Sequence, residues 1–297
     1  MAQEQLFFSI VIPTYNRPDR LKKCLQSITQ LNYPRDRFEV IVVDDGSKTP
    51  MDAVVSPFRE VLNVTFIRQL NAGPADARNR GTAQAKGQFL VFTDDDCIPE
   101  TNWLKNLDTH FATTPDSLIG GKTLNALSDN LYSTASQILI DYLYSYYNQD
   151  SYSSNFFASN NFAMPVDRFH ALGGFDTSFP LAAGEDREFC DRWLSQGYTM
   201  LYASDVQIYH AHHLTLPKFW RQHFNYGRGA FCFHRTRAQR AHNRIKVEPF
   251  SFYIKLLTYP FFQSSSQPPI ALTILLLLSQ IANVTGFLRE RSKQPFK

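Results

Sequence analysis

In the first third of the chain, apolar residues come in short continuous runs rather than in stripes. Residues 7–12, 38–43, 64–68 and 89–92 are such runs, closed by Pro13, by Asp44 and Asp45, by the 71–74 loop and by Asp94. Runs of this length predict strands buried on both faces. Between them the period changes: Leu21, Cys24, Leu25 and Ile28 recur at helical spacing over 17–29, and 75–86 reads as a second helix. Strand, loop and helix in alternation predict an α/β fold with a parallel, doubly wound sheet. Further on the pattern loosens. It predicts helices over 103–111 and 136–147, strand segments over 200–203 and 206–209, and a helix opening at Gly184, Glu185 and Asp186 with Phe189, Cys190, Trp193 and Leu194 inward. The tyrosines of 136–147 read either as a packed amphipathic face or as a sugar-stacking groove.

In such sheets ligands collect at the carboxyl ends of the strands. Here those ends hold Pro13, Tyr15 and Asn16, then Asp44 and Asp45, then Asp94, Asp95 and Asp96. Three consecutive carboxylates after a buried strand repel one another and cost desolvation unless a cation neutralises them. A hard divalent ion, Mn²⁺ or Mg²⁺, is the matching partner, and such ions commonly carry substrate phosphates. The alternative is an acidic surface turn that caps a helix starting near Pro99. An aromatic ring, a lone carboxylate and a metal-binding cluster on one rim suit a nucleoside diphosphate, with Arg78 and Arg80 as added phosphate contacts.

Composition narrows the field. A net charge of +3 over 297 residues argues for no nucleic-acid partner. The four cysteines form no CxxC pair, so the expectation is reduced thiols without a zinc site or a disulfide framework. The first residues, MAQEQLFF, carry neither a basic region nor a long apolar one, so no signal peptide is expected and the reading is cytoplasmic. Neither GxGxxG nor GxxxxGK[ST] occurs.

IPTYNR at 12–17, VVDDGS at 42–47, NAGPADARNRG at 71–81 and TDDDCIP at 93–99, in this order, resemble the family-two inverting glycosyltransferases of the GT-A fold. The resemblance covers about the first two-thirds of the chain. It implies a mixed sheet flanked by helices, a nucleotide-sugar donor, with UDP as the family-level expectation, and a metal at a DxD motif. Pro13, Tyr15 and Asn16 match the nucleoside-contacting loop, Asp45 the carboxylate that binds the base, and Arg78 a phosphate-side arginine. Asp94, Asp95 and Asp96 match the DxD, with Asp96 as direct metal ligand, Asp94 beside the metal and Asp95 nearer the ribose. Glu185 and Asp186 match the ED motif, whose Asp is the general base. Inversion requires one: a carboxylate must take the proton of the acceptor hydroxyl. In isolation, the pair also reads as ordinary acidic residues at a helix N-terminus.

Three histidines, His210, His212 and His213, follow the last strand. The resemblance implies that one joins the metal, and His212, further into the loop, is the choice over His210. The tail is aromatic and basic over 217–244 and apolar over 250–262 and 270–288, followed by Arg289, Arg291 and Lys293. That pattern predicts contact with a membrane on its cytoplasmic face. The 270–288 segment reads as a spanning helix, a helix lying in the interface, or a helix docked on the catalytic domain. The chain therefore divides into a GT-A catalytic domain over 5–215 and a helical extension over 216–297. The expected activity is metal-dependent, inverting transfer of a sugar to a hydroxyl of a glycan or lipid-linked glycan, as in polysaccharide biosynthesis. A nucleotidyltransferase or a non-catalytic nucleotide-sugar or glycan-binding relative is the alternative.

Overall fold

The computed structural model describes residues 5–148, 154–179, 183–241 and 248–293. The leader reading at residues 1–4 and the end of the basic stretch, 242–244, lie outside the described residues. One sheet of eight strands organises the chain: β1 Phe8–Thr14, β2 Phe38–Asp44, β3 Val64–Arg68, β4 Phe89–Thr93, β5 Cys97–Pro99, β6 Leu118–Asn125, β7 Asn161–Pro165 and β8 Met200–His210. Their order across the sheet is β3, β2, β1, β4, β7, β6, β8, β5. The first four are parallel, as their continuous apolar runs require, and β1, β2 and β4 are buried throughout.

Beyond β4 the sheet is mixed, with β6 and β8 parallel to one another. Strand β7 runs antiparallel to both β4 and β6, and β5 antiparallel to β8. The acidic turn is followed by the short strand β5, and the next helix, Trp103–Thr113, begins after it, not at Pro99. The two segments expected at 200–203 and 206–209 form the single strand β8, while the helix expected over 75–86 ends earlier, as Pro74–Thr82.

One core layer packs Leu21, Leu25, Trp103 and Phe111 against one face of the sheet, and a second packs Phe169, Phe175, Phe189 and Trp193 against the other. A third apolar cluster joins the helix Leu131–Tyr147 to the tail, with Ile138, Leu139 and Tyr142 against Phe219, Phe252, Leu256 and Leu276. The tyrosines of that helix are mainly structural: Tyr142 donates to the Phe252 carbonyl at 2.7 Å, and the Tyr144 hydroxyl accepts from the Ala158 N–H at 2.9 Å.

The tail helices Leu216–Ala241 and Pro269–Lys293 pack closely through one glycine from each helix, Gly227 and Gly286. A Cβ on Gly227 would meet the Asn283 carbonyl oxygen at 1.8 Å, and one on Gly286 the Phe224 carbonyl oxygen at 1.9 Å. Buried Glu290 receives Arg228 Nε at 2.7 Å in the same contact. The aromatic and basic stretch, expected to face a membrane, is divided: Leu216, Lys218, Trp220 and Arg221 are exposed, while much of the rest turns inward. Phe219, Phe231 and Phe233 are buried, and Arg237 and Arg240 are paired with Asp191, Arg240 also with Glu188. Helical spacing directs Arg237 and Arg240 inward onto the helix Glu185–Ser195.

Candidate active site

Parallel register aligns the ends of β1 and β2, pairing Thr14 with Asp44, and β4 ends beside them. The acidic triplet leaves β4 at this rim. Asp95 is buried and accepts from Thr14 Oγ1 at 2.7 Å and Arg17 at 3.0 Å. Asp96 is buried too, with Arg20 at 2.7 Å and Arg17 at 3.4 Å on its Oδ2. Burial, then Asp96, push the Asp95 carboxyl up to about 6 against the pull of Arg17 and Thr14. Asp96 goes the other way: burial works to raise it, but His210 and Arg17 hold it well below the usual carboxylate range.

Strand pairing decides which histidine reaches the acids. Strands β5 and β8 set Cys97 opposite His210, and the Ala211 N–H donates to the Asp96 carbonyl at 2.8 Å. His210 Nε2 therefore lies 3.2 Å from Asp96 Oδ1. His212, the expected ligand, stands one ring further out, its centroid 5.2 Å from that of His210, and its imidazole is held neutral to about 4 by burial and by His210. Asp96, Cys97 and His210 offer ligand atoms within 4.8 Å of one another. Burial pushes the Cys97 thiol well up, so it stays protonated and is a poor ligand for a hard ion. The carboxylate and imidazole suit Mn²⁺ or Mg²⁺, with further positions open to substrate oxygens.

Arg78 is buried and bridges the two halves, donating to Asp94 at 2.7 Å and to Glu185 at 3.3 Å. Glu185 thus positions Arg78. Burial first, and Asp186 next, push the Glu185 carboxyl up. Asp186 opens the helix Glu185–Ser195 and is held by the backbone N–H groups of Arg187 and Ser159; burial raises its carboxyl as well. Ser159 is placed there by the turn into β7, whose Asn161 pairs with Thr93 of β4. Arg80, by contrast, is exposed on the other side of its helix and lines neither cavity described below.

At the loops expected to meet a nucleoside, Asp45 already has other partners. Asp45 is buried, and its two oxygens already accept four bonds, from Gln69, Asn71 and the Ala72 and Gly73 N–H groups, at 2.8 to 3.1 Å. The carboxylate clamps the 69–73 loop, so a base would have to share or displace one of these donors. Pro13 lies in β1 opposite Val43, and Tyr15 is 45% exposed beyond it. Asn16, at φ 55°, ties the loop to the next strand through Ser47 and Lys48, each at 2.8 Å.

Two cavities adjoin here, and the second of them reaches the acids through Asp94, Glu185 and Asp186. A cleft of about 660 Å³ is lined by Arg17, Arg20, Lys218, Arg221, His212 and His213. A second, of about 490 Å³, holds Arg78, Asp94, Glu185, Asp186 and His210. His212, Gln222 and Tyr226 line both. Gln222 donates to Ser136 and Tyr226, each at 2.9 Å, while its Oε1 is buried without a partner among the described residues. The sequence reading missed Arg17, Arg20 and Gln222. Spacing held a signal for the first two, since residues three apart at a helix start after the strand share the face toward the rim.

A parallel-to-mixed sheet with acids at the β4 end, a metal-competent Asp and His pair and a buried carboxylate across the cavity defines the GT-A class of nucleotide-sugar transferases. The glycosyl transferase family 2 model matches residues 9–173, and the chain belongs to that family. It is 28% identical over 202 residues to the glycosyltransferase AglE of Haloferax volcanii, a match covering 67% of this chain and 65% of AglE. Less than two-thirds of that relative's length is spanned. Among solved structures, the mannosyltransferase PcManGT of Pyrobaculum calidifontis, in complex with GDP-Man and Mn²⁺, superposes with a TM-score of 0.66 at 17% identity over 95% of this chain and 88% of that one. Staphylococcus aureus TarS 1–349 in complex with UDP-GlcNAc gives 0.54 at 17% identity over 97% and 92%. At these identities the likeness is one of fold.

Proposed function

We propose that this protein transfers a sugar, with inversion, from a nucleotide-sugar donor to an acceptor hydroxyl. The observation that carries the reading is Arg78, which joins Asp94 of the triplet to Glu185 and so sets Asp186 on the same cavity as the acids. The basic cleft takes the donor diphosphate, with Arg17, Arg20, Lys218 and Arg221 as counter-charges, and Tyr15 and Asn16 meet the nucleoside. Asp45 supports the base through the loop it clamps. The acceptor hydroxyl approaches Asp186, which takes its proton as the oxygen bonds to the anomeric carbon. The bond from that carbon to the diphosphate breaks, and the nucleoside diphosphate leaves with the electron pair. Asp96 and His210 would hold Mn²⁺ or Mg²⁺, which when bound supplies positive charge to the leaving diphosphate.

PcManGT holds GDP-Man and TarS holds UDP-GlcNAc, so the base is tested directly. UDP, GDP and TDP are screened by thermal unfolding with and without Mn²⁺. One nucleotide is expected to stabilise the chain only with the metal, by about 2.7 kcal/mol at a hundredfold excess over its dissociation constant. No stabilisation by any of them overturns the donor site.

The tail supports a second element, attachment to a membrane. Pro269–Lys293 is long and apolar enough to cross a bilayer, yet one face is fixed to the helix Leu216–Ala241. The other face is an apolar stripe of Ile270, Ile274, Leu277, Ile281, Val284 and Leu288, each half or more exposed, at spacings of four and three. Phe250, Ile254, Phe261 and Phe262 add exposed apolar groups nearby, and Arg289, Arg291 and Lys293 follow in the last turns. A helix docked on one face and greasy on the other lies in the interface plane on anionic lipid. The triple variant Ile274→Ser, Leu277→Ser, Ile281→Ser is expected to stop floating with anionic vesicles while nucleotide stabilisation is kept. Unchanged flotation overturns this attachment.

A further inference from the structure

The cavity that contains Asp186 has two unlike ends. Its polar end is the Arg78, Asp94, Glu185, Asp186 and His210 constellation. Away from that end an apolar strip runs along the wall, Leu139 and Leu143 from the helix Leu131–Tyr147, Phe252 from Phe250–Thr258, and Val284, Phe287 and Leu288 from Pro269–Lys293, with His234, Glu248, Gln280 and Asn283 as polar groups beside it. A free sugar carries hydroxyls on every side and would leave the apolar strip unmatched, whereas a hydrocarbon chain would cover it. Two of these residues do double service. Val284 and Leu288, 59% and 54% exposed, line the cavity and also belong to the outer apolar stripe. The apolar end of the cavity is therefore continuous with the surface assigned to the bilayer.

We infer that the acceptor is an amphiphile drawn sideways from the membrane, with its hydrocarbon chain along Leu139, Leu143, Val284 and Leu288 and its hydroxyl-bearing head at Asp186. This names the acceptor class for the transfer proposed above and rests on that reading. The volume, about 490 Å³, is in the range of cavities that enclose a ligand of this size. The wall selects for a chain rather than for a particular head, so selectivity toward tail length is the property it confers. The donor enters from the basic cleft and the acceptor from the bilayer, and they meet at His212, Gln222 and Tyr226, which line both spaces.

The test uses the purified full chain and two probes with one head, methyl β-D-glucoside and n-dodecyl β-D-glucoside, the latter below its micelle concentration, by titration calorimetry. Burial of each methylene strengthens binding about fourfold, so the dodecyl probe is expected to bind at least a hundredfold more tightly than the methyl one. Leu143→Trp, which fills the cavity, is expected to lose at least tenfold of the dodecyl affinity. Ile274→Ser, on the stripe outside the cavity, is expected to stay within twofold. Should Leu143→Trp fail to fold, as judged by lost nucleotide stabilisation, a diazirine-bearing dodecyl glucoside is crosslinked to the unaltered chain, and labels within 139–143 and 284–288 are the expected result. Equal binding of both probes, a loss confined to Ile274→Ser, or labels only on the outer stripe overturns the inference. Mn²⁺-dependent hydrolysis of nucleotide sugars, run on the same preparation, separates the two claims. Hydrolysis without tail binding overturns the amphiphilic acceptor alone, whereas tail binding without nucleotide stabilisation or hydrolysis overturns the transferase reading on which it rests.

Discussion

Asp186→Asn is expected to lower sugar transfer by about a thousandfold, within the range of about 10² to 10⁴ that a positioned general base contributes, while nucleotide binding with Mn²⁺ stays unchanged. The substitution is nearly isosteric. Asp186 is held by the Arg187 and Ser159 N–H groups, and an Asn oxygen can keep one of those bonds, so the helix start at Glu185 is preserved. What disappears is the capacity to accept a proton. The pH profile gives a second readout. The groups facing Asp186 are Arg78, Glu185 and Asp94; burial raises its carboxyl, against the pull of its backbone donors and Arg78. The base works ionised, so activity falls as pH drops through the raised value, and the acid limb of the wild-type profile should lie above the ordinary carboxylate range. That limb should be absent from the residual activity of the Asn variant. A rate within tenfold of wild type would exclude Asp186 as base. Glu185 would then be the next carboxylate to test, since its Oε1 accepts from Arg78 at 3.3 Å while its Oε2 has no hydrogen-bond partner among the described residues.

The parallel half of the fold was legible because its signals are local. A strand buried on both faces writes itself as an unbroken apolar run, and the triplet after Phe89–Thr93 stands out against it. Pairing between distant strands leaves no such trace. The antiparallel insertion of β7 brings Ser159 toward Asp186, and the Cys97 to His210 register puts His210 on Asp96; neither follows from the sequence around those residues. Distance along the loop, the argument for His212, takes no account of strand β8, which carries His210 to the rim by itself. The tail misled for a related reason. Much of its aromatic and basic composition over 216–241 goes to Glu188, Asp191, Glu290 and the apolar clusters, and Lys218 and Arg221 line the cleft. The surface stripe, by contrast, is a pattern of spacing within 270–288 that composition cannot express. Asp45 shows a limit of motif matching: the matched residue is present, but its oxygens are saturated by the loop that follows the next strand.

The choice between the two histidines gives the other large effect. Asp96→Asn is expected to abolish the Mn²⁺ dependence of nucleotide stabilisation, weakening metal-supported binding by about a hundredfold or more, since Asp96 is the carboxylate of the triplet that stands against His210, at 3.2 Å. Asp94 accepts from Arg78 at 2.7 Å, and Asp95 from Thr14 and Arg17 at 2.7 and 3.0 Å. His210→Ala should show a loss of the same kind, about ten- to a hundredfold in metal affinity, comparable to that for removing a group that orients a ligand. His212→Ala should cost less, because its ring stands behind that of His210 rather than against Asp96. Each variant is read by titrating Mn²⁺ into the nucleotide-bound chain and following thermal unfolding, with circular dichroism to check that the fold persists. A greater loss for His212→Ala than for His210→Ala would make His212 the ligand and require the loop after β8 to turn inward when donor binds. The basic cleft makes that alternative a definite one: His212 already lines the space shared by Arg17, Arg20 and Arg221. A diphosphate drawn to those arginines would pass beside it. Equal losses would mean that both imidazoles act on the donor, His210 through Asp96 and His212 from the cleft. Only a larger loss for His210→Ala is what the strand register calls for.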